Sequence, residues 1–270
     1  GGGQSNLSSL SGIGAGKKPC SAAGNNNRKV GFTLAEVLIT LGIIGIVAAM
    51  TIPGLIAKHQ KIVTATQLKK AYTTIAQAFT MAQKDYGDIS GWDFKPSNPE
   101  DGDTTSLKTA ITLFAKTYLI PYLSVITDCG AGKEASKQCF YTWYTTDGTA
   151  LNYTPSDNLY RFILNNTTLI QLSYDNSAGD YTIGHVLIYV DINGFNKPNT
   201  ISKDIFVMSL TSSGRSLKMY GAGRTRETLL NAPTNKWGCK NKGAASNTSI
   251  YCGALIQQDG WVIKDDYPWF

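Results

Sequence analysis

An α+β fold follows from two features of the chain: a long amino-terminal helical signal, and a set of β-rich runs behind it. From Val37 to Ala57 no residue is charged, and about 20 such residues cross a hydrocarbon core as a helix. Ile62, Leu68, Tyr72, Ile75 and Phe79 then recur at near-helical spacing, with Lys61, Lys69, Lys70 and Gln77 between them. One helix is therefore expected from about Phe32 to Asp85, roughly 80 Å at 1.5 Å per residue. Residues 159–164, 168–174, 185–191 and 205–210 are rich in β-branched and aromatic side chains. Asn, Asp, Gly and Ser clusters separate them, with Asn165-Asn166 and Asp175-Asn176 as hairpin turns. An antiparallel sheet of three to five strands, laid on the long helix, is the expected result.

Other elements fall between these. Pro53-Gly54 is the weak point of the first helix, since proline removes a backbone bond there and invites a kink. Residues 88–103, with Trp92, Pro96, Pro99, Asp101 and Asp103, read as a polar loop. A second helix is expected over 105–119, with Leu107, Ile111, Phe114 and Tyr118 on one face, stopped before Pro121. The aromatics of the final run, Trp261, Tyr267 and Trp269, are expected to pack against the sheet.

The head of the first helix carries an energetic oddity. Glu36 stands at the start of an otherwise apolar segment, where an acid costs about 2.5 to 3.5 kcal/mol on insertion scales. Arg28 and Lys29 lie just upstream with Lys17 and Lys18 before them, and residues 1–31 contain no acid. The positive-inside rule keeps that end in the cytoplasm and sends the rest of the chain out.

A basic leader, then Gly31-Phe32-Thr33-Leu34-Ala35-Glu36 and an apolar helix, resembles the class III signal of type IV pilins and type II secretion pseudopilins. The resemblance implies cleavage between Gly31 and Phe32 by a prepilin peptidase, which also N-methylates Phe32. It implies a pilin-like layout, and Pro53 matches the proline that family places late in the span. Glu36 then has a role: in a bundle of staggered helices it could meet the new Phe32 amine of a neighbouring subunit, which would set the register. The organisation expected is a leader over 1–31, a membrane segment over 32–56, an outer helix over 57–87 and an extracytoplasmic domain over 88–270. The alternative is a plain signal anchor.

Composition agrees with export. The formal charge is +6, but four of the 25 basic residues lie in the leader, leaving 21 against 19 acids. No basic face for nucleic acid follows. With Cys20 in the leader, Cys129, Cys139, Cys239 and Cys252 remain outside, an even set suited to disulfides. Four cysteines allow three connectivities, of which the local one pairs Cys129 with Cys139 and Cys239 with Cys252. Zinc is disfavoured: there is no Cys-x-x-Cys, and His59 and His185 are distant in sequence.

One run suggests an ion. Asp191, Asn193, Asn196, Asn199 and Asp204 place oxygens in a Gly- and Pro-containing turn, as calcium requires. It is not an EF-hand, because Gly194 comes too early and no Glu closes it. Some pseudopilins hold calcium near such a place, and the resemblance implies it here too. The competing reading is a turn whose Asp and Asn side chains bond their own backbone. Gly12 to Lys18 fails the phosphate-loop spacing, which needs Gly at position 11 and Ser or Thr at 18. Two separated histidines supply no Ser-His-Asp or Cys-His arrangement, so no enzyme is expected.

The function expected is therefore structural: a subunit of a type II secretion pseudopilus or a type IV pilus, embedded in a bacterial inner membrane before assembly. Its partners would be other pilins or pseudopilins, the prepilin peptidase and an inner-membrane assembly platform. The rival is a signal-anchored extracytoplasmic enzyme or binding protein that never polymerises.

Overall fold

A computed structural model describes residues 31–97, 104–151, 159–174, 185–211, 214–243 and 248–269. The basic leader before Gly31, the prolyl and acidic positions Pro99, Asp101 and Asp103, and the Asp175-Asn176 turn lie outside them. The chain divides into two compact units, residues 1–50 and 51–270.

The first helix, α1, is Leu34–Tyr86, and Pro53 lies inside it. In the first unit its side chains from Leu34 to Met50 are exposed, save the half-buried Ala48. A helix segment that is apolar and exposed on every side belongs in lipid or among other helices. In the second unit α1 changes character. Thr64, Ala65, Leu68, Ala71, Ile75, Ala78, Phe79 and Ala82 are buried, a stripe at steps of three and four. Four alanines in that stripe let the backbone approach closely. Ile62, expected in the stripe, is 58% exposed; it lies before the first buried turn.

After α1, Trp92 and Phe94 turn inward, so the start of the expected polar loop is core. Trp92 stacks on Tyr118 at 4.3 Å between ring centroids, and Phe94 packs on Phe114 at 5.0 Å. Helix α2, Thr105–Leu113, continues as a π-helical turn over Phe114–Leu119. Leu107, Ile111, Phe114 and Tyr118 are buried as expected, and the wider turn also buries Ala115 and Leu119.

Strand β1 is Val125–Ala131 and is followed by the one-turn α3, Gly132–Ala135. A two-stranded ribbon pairs β2, Trp143–Tyr144, with β3, Ala150–Leu151. The main sheet adds β4, Leu159–Leu164; β5, Leu169–Tyr174; β6, His185–Asp191; β7, Ile205–Thr211; and β8, Gly214–Met219. Its order is β1-β4-β5-β6-β7-β8, antiparallel throughout. Every residue of β4 is buried and only Ser173 of β5 is not, so these strands are covered on both faces. Both runs are mostly apolar for that reason, with Arg161 and Gln171 as buried polar exceptions. The sheet has six strands where three to five were expected; the two that the runs did not show are its edges. β1 carries Asp128 and Gly130 and two register shifts against β4; β8 carries Lys218 and has a register shift against β7. Such irregular, polar edges carry weak strand signals.

Two short helices close the domain: α4, Arg226–Asn231, capped by the Thr225 side chain, and α5, Cys252–Gln258. The carboxy-terminal aromatics join the core, with Tyr267 inside it and Trp261 and Trp269 packed against it. Trp261 meets Tyr72 of α1 at 5.4 Å, and the Tyr267 hydroxyl donates to the Ser202 carbonyl at 2.6 Å.

Candidate assembly site

The expected cleavage residues, Gly31 and Phe32, precede the first turn of α1, and Phe32 is 86% exposed. Four residues on, Glu36 has a partner that the sequence reading overlooked. The backbone N–H and the hydroxyl of Thr33 both donate to Glu36 Oε2 at 2.8 Å. The Glu36 N–H donates back to Thr33 Oγ1 at 3.2 Å. This is a capping box, which satisfies helix-end donors reciprocally, and its Thr-x-x-Glu spacing is visible in the sequence. With Gly31 still attached, Phe32 contributes a peptide nitrogen and no cation. Among the described residues, the Glu36 carboxylate is held by hydrogen bonds from Thr33.

Pro53 sits in the exposed part of α1, and Gly54 beside it has open space where a Cβ would stand. Cys129 of β1 is bonded to Cys139, and Cys239 to Cys252 at the start of α5. The first bridge fastens the edge strand to the segment after α3. The second joins the loop behind α4 to α5, where the Cys239 N–H also donates to the Leu229 carbonyl at 2.9 Å.

The five oxygen-bearing residues considered for calcium share one loop between β6 and β7, but in separate roles. Asp191 is buried; its Oδ2 accepts from the Tyr141 hydroxyl at 2.5 Å and its Oδ1 from the Asn193 N–H at 3.2 Å. Asp204 is also buried, accepting from the N–H groups of Asn199 at 2.7 Å and Thr200 at 2.6 Å. Asn196 is exposed and donates to the Asn193 carbonyl at 3.0 Å. With the Asn199 side-chain amide turned over, the assignment its neighbours demand, its nitrogen donates to the carbonyls of Gly194 and Asn196 at 3.1 and 2.6 Å. Asn193 Oδ1 is buried and has no donor. These bonds close the loop on itself. Gly194 is required by a close approach: a Cβ there would lie 2.3 Å from the Thr167 carbonyl oxygen of the β4–β5 turn. Among the described residues no group of three or more His, Cys, Asp or Glu gathers to hold a metal.

The two carboxylates share an unfavourable environment. Burial, and then the charge of Asp204, pushes Asp191 up to about 8. Burial raises Asp204 to about 6, opposed by its backbone donors. One buried cation was missed in the sequence. Arg161 of β4 is fully buried, its Nε donating to Gln171 Oε1 at 2.8 Å and its Nη1 to the Cys139 carbonyl at 3.1 Å. The rings of Phe140 and Trp143 flank the guanidinium at 4.7 and 5.5 Å. Of the histidines, His59 is exposed on α1 and His185 stacks on Tyr220.

No curated protein and no solved structure matches the chain. Residues 26–52 match the Prokaryotic N-terminal methylation motif, the signal of type IV pilins and pseudopilins. The long amino-terminal helix followed by an antiparallel sheet is the pilin-like layout. Residues 54–269 match the model of a Family of unknown function, DUF6613. The chain belongs to DUF6613, and it carries the type IV pilin and pseudopilin signal on an apolar, membrane-anchoring helix.

Proposed function

We propose that the chain is a structural subunit that is cut between Gly31 and Phe32, N-methylated at Phe32, and built through α1 into a type IV pilus or a type II secretion pseudopilus. The observation that carries this reading is the head of α1: from Leu34 to Met50 it is apolar and exposed but for Ala48, and its one acid is Glu36. Cutting at Gly31 creates an α-amino group four residues from Glu36, and methylation leaves that group cationic. In a staggered bundle, Glu36 of one subunit then meets the amine of the next. The pairing offsets the burial of both charges and selects one register. Pro53 marks where the helix can bend under load. The basic leader stays in the cytoplasm, and the disulfide-bearing domain lies outside.

Expression of the full chain with and without a prepilin peptidase tests the proposal. Mass spectrometry should show loss of residues 1–31 and gain of a methyl group on Phe32 only when the peptidase is present. An unchanged mass would favour a signal-anchored protein that does not polymerise.

A further inference from the structure

The loop joining β6 to β7, residues 192–204, is closed by polar bonds under little apolar cover. Ile192 and Ile201 are buried, whereas Phe195, Asn196, Lys197 and Pro198 are exposed. Its backbone is strained at two non-glycine positions, Asn199 with φ 50° and Ser202 with φ 71°. Residues in that left-handed region stay there only where the surrounding contacts impose it. Asp204 is one such contact: its carboxylate accepts from the N–H groups of Asn199 at 2.7 Å and Thr200 at 2.6 Å. Asp191 secures the other end of the loop, accepting from the Asn193 N–H at 3.2 Å.

The closed loop in turn positions the β2–β3 ribbon. Tyr144 donates its N–H to the Asn199 carbonyl at 2.8 Å, and its own carbonyl accepts from the Ile201 N–H at 2.9 Å. Just ahead of the ribbon, Tyr141 donates to Asp191 at 2.5 Å and its ring packs on Phe195 at 4.8 Å. A two-stranded ribbon has little stability by itself, so these contacts decide where it lies.

Two carboxylates thus sit at the joints of one strained turn. Both are buried, and neither makes an ion pair among the described residues. Tyr141 faces Asp191, with Arg161 of β4 acting on that hydroxyl from the sheet. His59 of α1, Lys197 and Lys203 line the same cavity as Asp204, and Tyr267 of the terminal segment donates to the Ser202 carbonyl. Among the described residues none of these cations hydrogen-bonds to either carboxylate. One proton on the pair removes the repulsion between two desolvated anions, and loss of the last proton restores it. Burial accordingly pushes Asp191 up to about 8 and Asp204 up to about 6.

We propose that residues 192–204 form a pH-operated latch, closed while Asp191 and Asp204 hold at least one proton between them and opened when both are ionised. Opening relaxes the two left-handed residues and frees Tyr144 with the ribbon, while the paired strands β4 to β7 stay in place. The device needs neither cleavage nor polymerisation, and it is a local opening rather than unfolding of the domain.

Hydrogen exchange of the full chain in a neutral detergent, read by mass spectrometry and normalised to the intrinsic rate at each pH, tests the latch. From pH 6 to pH 9, peptides covering residues 141–151 and 192–204 should lose protection about tenfold or more, the gain in opening that accompanies release of a proton. Peptides of β4 to β7 should keep theirs. Asp191→Asn and Asp204→Asn each leave one titratable carboxyl, and each should remove most of the pH dependence. His59→Gln should respond as the unaltered chain does. Protection independent of pH, a loss shared equally by the sheet, or undiminished pH dependence in either carboxamide variant would overturn the proposal. So would disappearance of the response in His59→Gln.

Discussion

Thr33 and Glu36 hold one another in a reciprocal capping box: two Thr33 donors meet one Glu36 oxygen, and the Glu36 N–H returns to the Thr33 hydroxyl. The same carboxylate cannot serve this box and a neighbour's amine equally well. Assembly, on the proposed reading, exchanges an internal contact for one between subunits. Glu36→Val should leave cleavage intact, as read by mass, and abolish or strongly reduce recovered fibres. Thr33→Val removes the hydroxyl of the cap, costing the helix start about 1 kcal/mol, yet retains the acid and should still assemble. Equal loss of fibres in both variants would reduce Glu36 to a capping residue.

Stability of the outer domain should fall as pH rises. Asp191 and Asp204 bind protons more tightly folded, at about 8 and about 6, than at their ordinary value of 3.8. Their protonation therefore favours the fold fully below about pH 4, and the advantage is lost as pH climbs through the two folded values. Melting temperatures of the full chain in detergent should decrease by several degrees from pH 5 to pH 8. Asp191→Asn should flatten most of that slope. A slope of the same size in the variant would show that other groups cause it.

Calcium reads the same loop differently. Both carboxylates already accept two donors each from the protein, and the Asn199 amide clips the carbonyls beside them. Melting curves at neutral pH in calcium and in chelator are expected to superimpose. A higher melting temperature in calcium, lost in Asp204→Asn, would show that a cation enters the loop and recruits those oxygens.

The carboxy-terminal segment is tied down by Arg226. Its guanidinium donates to Asp259 and Asp266, each at 2.8 Å, while Lys264 reaches Asp259 at 2.7 Å. The Asp259 side chain is only 5% exposed, and Arg226 holds its carboxyl below the usual range. Arg226→Leu should cost about 1–2 kcal/mol, with solvent screening of the one-third-exposed guanidinium keeping it below a fully buried pair. It should also increase proteolysis near residue 260. Asp265→Ala, which removes a fully exposed partner of Lys61, should leave the melting temperature unchanged.

What the sequence alone determined is what neighbours along the chain encode. Charge, Gly31, Phe32 and Glu36 stand within nine residues of one another, so the membrane-anchoring signal needs no tertiary partner to be read. The central strands were legible for a related reason: β4 to β7 carry their burial in consecutive side chains, and their observed limits fall within one residue of those expected. Local spacing also favoured the bridge Cys129–Cys139, which closes 10 residues, and Cys239–Cys252, which closes 13. The edges were not legible, because β1 and β8 acquire strand structure only from the neighbour they pair with. Nor were the long-range polar contacts. Tyr141 and Asp191 are 50 residues apart and Tyr267 and Ser202 are 65 apart; their meeting depends on how the sheet, loop and terminal segment stack. Local periodicity and charge are properties of a segment, whereas desolvation and convergence exist only after distant segments pack.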